Sequence, residues 1–454
     1  MPTWWRAALL AGSLIAGLAS YGAGSAFGPK GQAAFGILAF LALVAAFSKN
    51  LRAVSLRTFL WGVGLQFALA IAVIKIEFVR QFFEFIGKGV GVLAACSQKG
   101  ADFVFGSLAT REGPSGSVFV FQILPPILFI SGFFSVLYHF GILQWIVKIF
   151  SKAMMFLLGS SGAETLSVSA NVFMGQTEAP LIVKPFVPRM TESELMTLMA
   201  SGMAHVSGAL LVIYTTYGAD PASILCTCVM ACPCSIYLSK LMIPELSTPA
   251  TLGDATVAVP RTTANAIDAL SAGIKDGLWL ALNVAAMLIG FIAFIALLDA
   301  ILGGIKPRLL DLGLSVELLA WIPDGLNLEF LFGKLFAPVA YLIGVPAEEC
   351  EQVGSLLGIK LSANEHVAFT KFKSWTVERI PLGEAPLLGE RARKLTVYAL
   401  TGFANFASIG IQLGGIGAMA PERRSDLARL GFKALFVGFV VTLINAAVAG
   451  LLLD

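Results

Sequence analysis

Nine long apolar runs constrain the architecture of this chain more than any other feature. They cover residues 7–27, 32–48, 58–78, 118–140, 195–217, 221–243, 277–302, 395–418 and 431–453. A helix of about 20 residues crosses about 30 Å of bilayer hydrocarbon, so each run predicts a transmembrane helix. The runs are continuous rather than alternating, which argues against a membrane β-barrel.

The composition excludes the soluble classes of protein. Hydrophobic residues make up 57% of the 454 residues and charged residues 13%, whereas soluble domains carry about 25% charged residues. The net charge of +3 and the six cysteines indicate neither a nucleic-acid partner nor a disulfide scaffold. We therefore expect an all-α polytopic membrane protein, with the lipid bilayer of the plasma (inner) membrane as its surroundings.

Two further apolar runs, 159–183 and 346–370, are interrupted at their centres by polar residues. Half of such a run has roughly 10 residues and rises about 15 Å, which reaches only the bilayer midplane. These runs predict re-entrant helical hairpins whose tips are Gly175–Pro180 and Asn364–His366. The simpler alternative is a surface loop between two short helices.

The two hairpins belong to an internal repeat. Each contains a Ser-Ala-Asn sequence followed by an acid that we expect to be buried, and each precedes a helix with a similar opening. The matching pieces are 169–171 with 362–364, Glu178 with Glu365, and 201–205 with 401–405. Inverted repeats whose broken helices meet at the midplane are typical of secondary transporters.

The loops indicate an orientation. Basic residues near 49–57 and 423–429 predict cytoplasmic loops, which places the partly basic stretch 371–394 outside. Residues 79–96 predict an interfacial helix, and 244–263 a cytoplasmic linker. The first run is either a retained helix or a cleaved signal peptide.

The polar residues near the tips indicate a ligand class. Asn405 and Ser408 are three residues apart and share a helix face, with Phe403 and Phe406 beside them. A carboxylate at mid-membrane costs several kcal/mol unless water or partners reach it. Carboxylates, amides, hydroxyls and aromatic rings together suit a neutral, hydroxylated, flat-ringed solute. For Asn405 and Ser408 alone, interhelical hydrogen bonds are the simpler interpretation.

A series of motifs identifies a family. In order they are 121–125 (FQILP), 161–164 (SGAE), 169–171 (SAN), 175–180 (GQTEAP), 190–195 (MTESEL), 336–338 (FAP), 344–346 (GVP), 364–365 (NE), 402–406 (GFANF) and 420–424 (APERR). Their order and spacing resemble the concentrative nucleoside transporters from about residue 32 onward.

The resemblance implies a homotrimer in which a scaffold holds a mobile transport domain. It implies nucleoside import by symport with a cation, through an elevator-like motion. The segments would be 1–30, an additional transmembrane segment; 31–140, scaffold helices and the interfacial helix; 141–245, the first hairpin repeat of the transport domain; 246–302, a linker and scaffold helix; and 303–454, the second hairpin repeat.

The resemblance also implies roles for individual residues. Gln176, Thr177 and Glu178 match positions that bind the nucleobase, and Phe403 matches an aromatic that contacts it. Glu365, Asn405 and Ser408 match positions that bind the ribose. The coupling-ion positions are Asn171, Met174, His205 and Val206.

Two histidines depart from the family pattern. His205 occupies the place of a sodium-binding hydroxyl, and imidazole is a poor ligand for a hard cation. It titrates near pH 6.5 when unperturbed, so we interpret it as a possible proton-coupling group. Neutral packing of His205, with sodium bound elsewhere or not at all, is the alternative. His366 replaces a Phe, and His139 is expected to be structural or interfacial.

Other functions remain open at this point. We expect no cofactor beyond the coupling cation, H+ or Na+, and no metal site beyond one for sodium. A transporter of another ring-containing solute is one alternative. An intramembrane enzyme is another, but the chain contains no Gly-x-Ser-x-Gly, His-Glu-x-x-His or phosphate-loop motif. The clustered cysteines (226, 228, 232 and 234) predict close helix packing rather than a metal site.

Overall fold

The computed structural model describes residues 4–109, 119–253, 263–315, 317–319, 323–380 and 384–453, and no β-strand occurs among them. In chain order the helices are α1 Trp4–Ala46, α2 Leu56–Lys75, α3 Glu77–Phe105, α4 Phe119–His139, α5 Ile142–Leu158, α6 Gly162–Ala170, α7 Ala179–Ile182, α8 Glu192–Ala204, α9 Gly208–Thr216, α10 Pro221–Met242, α11 Ala266–Gly303, α12 Ile305–Asp311, α13 Leu328–Leu342, α14 Cys350–Ser362, α15 Glu365–Thr376, α16 Glu390–Leu400, α17 Phe406–Met419 and α18 Arg424–Leu452.

Seven helical stretches in these ranges are long and apolar enough to cross a membrane. They are Trp4–Gly24, Ala26–Ala46, Leu56–Lys75, Glu192–Thr216, Pro221–Met242, Ala266–Asp311 and Pro421–Leu452. Helices α4 and α5 form a further pair that is bent by 73°. The predicted all-α, multi-pass membrane fold is confirmed.

The first two apolar runs form a single kinked helix, α1. Gly28 lies at φ 64° inside it and Pro29 follows directly. Glycine tolerates this left-handed backbone, and proline lacks the N–H that a continuous helix would use. The kink therefore divides α1 into the two spans that the sequence predicts.

Two spans predicted as continuous are broken in the structure. The run 195–217 forms α8 and α9, which are separated by His205–Ser207 in extended conformation. The run 395–418 forms α16 and α17, which are separated by 401–405. Gly402 lies at φ 144°, and the Asn405 side chain caps α17 by accepting from Ser408 N. Hydropathy alone missed both breaks because apolar residues flank them on each side.

Both hairpins lie where the sequence predicts them. Helices α6 and α7 flank the first tip, and α14 and α15 flank the second. The linker after α10 returns to the start of α6. There the Thr251 carbonyl accepts from Gly162 N at 2.9 Å, and the Thr251 hydroxyl accepts from Ala163 N at 3.0 Å. Residues 254–262 of the predicted linker lie outside the described residues.

Two close helix packings stand out: α11 lies on α4, and α2 lies on α10 and α18. Helix α11 lies closely along α4, because Gly273 brings the two backbones together; a Cβ there would lie 2.6 Å from Ser131 O. Helix α2 instead joins α10 and α18. Gln66 donates to Asn445 at 2.7 Å and accepts from Tyr237 at 2.8 Å, all three being buried. Although α2 falls within the expected scaffold segment 31–140, it is hydrogen-bonded to helices of the two hairpin repeats.

Helix α3 contains the predicted interfacial segment and is longer than predicted. Phe78, Phe82 and Phe85 on it are exposed. Arg80 pairs with Glu77 at 2.5 Å and with Glu84 at 3.5 Å on the same helix. An exposed aromatic face beside paired charges fits the amphipathic character inferred from the sequence.

Candidate substrate and ion site

A continuous hydrogen-bond chain joins the tips of the two hairpins. Gln176 Nε2 donates to Ser408 Oγ at 3.1 Å. Ser408 N donates to Asn405 Oδ1 at 2.9 Å, and Asn405 Nδ2 donates to Glu365 Oε2 at 3.2 Å. Residues expected to bind base and ribose are thus parts of one network.

The helix breaks create this network. Asn405 lies just before α17, where its side chain caps the helix, and Glu365 is the first residue of α15. All four side chains of the chain are buried. Buried carboxylate and amide groups are costly unless they are hydrogen-bonded, so the network stabilises the contact between the tips.

The base-binding candidates lie together at the first tip but differ in burial. Glu178 is surrounded by protein but its side chain faces open space within it, so it is less tightly packed than Glu365, which is buried. Glu178 Oε2 accepts from Gly175 N at 2.9 Å, which leaves the rest of the carboxylate open. Thr177 packs against Gly415 of α17. A Cβ atom added at Gly415 would lie 2.8 Å from the methyl carbon of Thr177. Phe403 is half-buried in the break before α17.

The coupling-ion candidates Asn171 and His205 meet at Ser201. Asn171 Nδ2 donates to Ser201 Oγ at 3.0 Å, and its buried Oδ1 has no partner among the described residues. His205 Nδ1 lies 2.7 Å from Ser201 O. A carbonyl only accepts, so Nδ1 carries the hydrogen of the neutral ring, and Nε2, the acceptor nitrogen, lies 3.5 Å from Cys232 Sγ. Met174 is half-buried and Val206 is buried beside them.

His366 lies against Tyr214 and Tyr217. Its Nε2 lies 3.3 Å from Tyr217 Oη, and its ring lies 5.8 Å from that of Tyr214. Both tyrosines follow the α8–α9 break, so His366 helps to pack the second tip against α9. His139 ends α4 and lies 2.7 Å from Thr263 Oγ1, which agrees with a structural role.

Three contributors were not identified from the sequence. Tyr214 donates to Glu365 Oε1 at 2.9 Å, and Gln412 donates to Gln176 Oε1 at 3.2 Å. The Cys232 contact with His205 is the third. Gln412 lies one turn after Ser408 on the same face of α17, a signal that could have identified it. Among the described residues, no cluster of three or more His, Cys, Asp or Glu side chains could hold a metal ion.

Comparisons with family models agree on one family. A model described as the C-terminus of Na+ dependent nucleoside transporters matches residues 223–450, and one for their N-terminus matches 35–108. A third model, described as nucleoside recognition, matches 120–220.

Individual relatives cover nearly all of the chain. An uncharacterized transporter from Haemophilus influenzae is 37% identical over 420 residues, which is 92% of this chain and 96% of that protein. Sodium/nucleoside cotransporter 1 from Mus musculus is 40% identical over 425 residues. The match covers 92% of this chain and 63% of that protein.

Solved structures show the same fold. CNTnw in an inward-facing, substrate-bound state superposes with a TM-score of 0.84 at 34% identity, covering 93% of this chain and 99% of that one. A CNTnw variant in an outward-facing state gives a TM-score of 0.83 at 33% identity, covering 93% and 97%. The chain belongs to the concentrative nucleoside transporter family.

Family membership narrows the alternatives. The named relatives are described as transporters, which argues against the intramembrane enzyme. The chain is a multi-pass membrane protein of this family, and it spans 63% of the length of the mammalian relative above.

Proposed function

We propose that this chain imports nucleosides by symport with a cation. The hydrogen-bond chain from Gln176 through Ser408 and Asn405 to Glu365 carries the proposal, because it lies where the two hairpin tips meet. A nucleoside joins a flat base to a hydroxylated ring, so it needs amide and hydroxyl groups beside carboxylate acceptors. Along the network these groups are the Gln176 amide, the Ser408 hydroxyl, the Asn405 amide and the Glu365 carboxylate.

Each end would recognise a different part of the nucleoside. At the first tip, Gln176, Thr177 and the open carboxylate of Glu178 would hydrogen-bond the base edge, and Phe403 would contact its face. At the second tip, Glu365, Asn405 and Ser408 would bind the ribose hydroxyls. The Glu365 carboxylate already accepts from Tyr214 and Asn405, and a ribose hydroxyl would be a third neutral donor to it.

For coupling, we propose a proton carried by His205. In the neutral ring Nε2 is the acceptor, so it is the atom that would take up the proton. Protonation would reverse the contact with Cys232, since both ring nitrogens then donate. A positive ring in the cluster around Ser201, which also holds the unpartnered Asn171 Oδ1, would draw the first hairpin toward α8.

Sodium is the second candidate for the coupling cation. The buried, unpartnered Asn171 Oδ1 is an oxygen ligand of the kind that hard cations prefer. The descriptions of the matching family models also name Na+. Either cation would put its positive charge in the same cluster around Ser201.

For alternating access, we propose an elevator-like motion in a homotrimer. The close α4–α11 pair would be the stationary scaffold. Because buried hydrogen bonds join α2 to α10 and α18, we narrow the expected scaffold segment 31–140 and let α2 move with the hairpin repeats. The trimer rests on the family resemblance.

Uptake into proteoliposomes tests the proposal. Labelled uridine and adenosine are offered under an inward pH gradient, an inward sodium gradient, both, or neither. Accumulation above equilibrium under either gradient supports cation-coupled nucleoside import, and the effective gradient identifies the cation. Equilibration without accumulation would contradict symport. Failure to take up any nucleoside would contradict the substrate class.

A further inference from the structure

A lysine lies fully buried in the first arm of the second hairpin and has no role in the function proposed above. Lys360 on α14 is 0% exposed. Its Nζ donates to Ala399 O at 2.7 Å and to Thr442 Oγ1 at 2.9 Å, and it lies 5.5 Å from the ring centre of Phe439. An ammonium group inside a membrane protein is costly and is a functional candidate by default.

No carboxylate pairs directly with this lysine. Among the described residues, no carboxylate oxygen lies within 4.0 Å of its Nζ, whereas the buried Lys240 lies 2.9 Å from Glu164. The amino group of Lys360 is therefore directed at two neutral oxygens, Ala399 O and Thr442 Oγ1.

The nearest of these neutral oxygens belongs to a helix end. Ala399 is the second-to-last residue of α16, which ends at Leu400 just before the break at 401–405. The last carbonyls of a helix lack intrahelical donors and carry partial negative charge. Lys360 thus caps the broken helix whose continuation, α17, begins after Asn405.

The first hairpin has no such lysine at the corresponding place. Lys360 precedes Asn364 by four residues, and Ser167 precedes Asn171 by four. Both Ser167 Oγ and Asn171 Oδ1 are buried and have no hydrogen-bond partner among the described residues. One hairpin therefore holds a buried lysine amino group, and the other holds two buried oxygens without partners at the corresponding place.

We propose that Lys360 is a tethered cation. It holds the second hairpin against a neighbouring helix, as the transported cation would draw the first hairpin toward α8. Its ammonium joins α14 to the end of α16 and so positions Asn405 and Glu365 for the ribose. It is a positioning residue, because it acts through the helix break rather than by touching the nucleoside. The proposal rests on the proposed function and adds that only the first hairpin exchanges a cation.

Chemical rescue tests this role on the purified full-length chain. Lys360→Ala removes a propylammonium equivalent, so uridine binding is measured with and without millimolar propylammonium, and with propanol as the neutral control. Loss of charged hydrogen bonds should weaken binding about tenfold or more. Recovery with propylammonium but not with propanol supports the tethered cation. Equal recovery with propanol, or unchanged binding, overturns it.

A second variant covers a failure of the alanine variant to fold. Lys360→Met keeps most of the volume and removes the charge. In the wild type, 3′-deoxyuridine should bind more weakly than uridine, and in this variant the difference should shrink because Glu365 and Asn405 lose their alignment. An undiminished difference contradicts the proposal. The control is Lys334→Ala. Lys334 is an exposed lysine on α13 that pairs with Glu351 of α14.

The wild type is measured first. Failure of the wild type to bind any nucleoside would contradict the proposed function. Binding by the wild type, together with wild-type affinity in both Lys360 variants, would contradict the tethered cation alone.

Discussion

Gln176 Nε2 donates to Ser408 Oγ over 3.1 Å, and this bond connects residues 232 positions apart in the sequence. It joins the first hairpin tip to the helix that follows the second hairpin. The two halves of the repeat therefore share one polar network at their meeting point, and a solute held there would contact both halves.

We expect Glu365→Gln to impair nucleoside recognition while leaving the protein folded. An amide cannot accept from Tyr214, Asn405 and a ribose hydroxyl as the carboxylate does. The apparent KM for uridine should rise about tenfold or more, with near-normal amounts of protein in the membrane. Glu351→Gln, an exposed acid on α14, is the control. Near-normal affinity in Glu365→Gln would contradict the ribose-binding role.

We expect Tyr214→Phe to weaken uridine binding by about fivefold to tenfold, because Glu365 Oε1 loses a buried donor worth roughly 1 kcal/mol or more. Equilibrium binding to purified protein measures the change. Tyr237→Phe is the matched control, since its hydroxyl bonds Gln66 away from the site. It should lower the thermal stability without altering affinity. Equal affinity losses in both variants would refute a specific role for Tyr214.

We expect His205→Ser to change the coupling cation. Loss of the imidazole removes the proton acceptor, and the new hydroxyl adds an oxygen to the cluster around Ser201 that also holds Asn171. Uridine accumulation should stop responding to a pH gradient and begin to respond to sodium, as measured in proteoliposomes. Uptake that stays pH-driven and indifferent to sodium would remove His205 from the coupling mechanism.

We expect Gly273→Val to destabilise the α4–α11 pair. A Cβ at this position would lie 2.6 Å from Ser131 O, so the backbones must separate. Overpacking of this kind typically costs about 1–3 kcal/mol, which thermal unfolding in detergent detects as a lower apparent Tm. Gly290→Ala on the same helix meets open space and should be neutral or stabilising. Equal Tm values for Gly273→Val and wild type would show that the contact is not tight.

The sequence predicted the features that depend on short-range pattern. Both hairpins follow from polar residues inside apolar runs, and the shared face of Asn405 and Ser408 follows from their spacing. The membrane fold follows from hydropathy and composition. These signals lie within one or two helical turns, so no knowledge of the tertiary structure was needed.

The features that sequence did not predict depend on long-range packing. Tyr214 and Glu365 are 151 residues apart, and Cys232 lies 27 residues after His205. The breaks after α8 and α16 were missed because hydropathy averages over a few polar residues. The open space in front of Glu178 was missed because a carboxylate within an apolar segment was expected to be tightly packed.

The position of Thr251 limits how the first hairpin can open. At the base of α6, the Thr251 carbonyl accepts a hydrogen bond from Gly162 N and the Thr251 hydroxyl accepts one from Ala163 N. Any swing of this arm about its root would break both bonds at once. The arm is therefore anchored at its base, and we expect any hinging that admits or releases a solute to occur at its far end, around Gly175–Pro180.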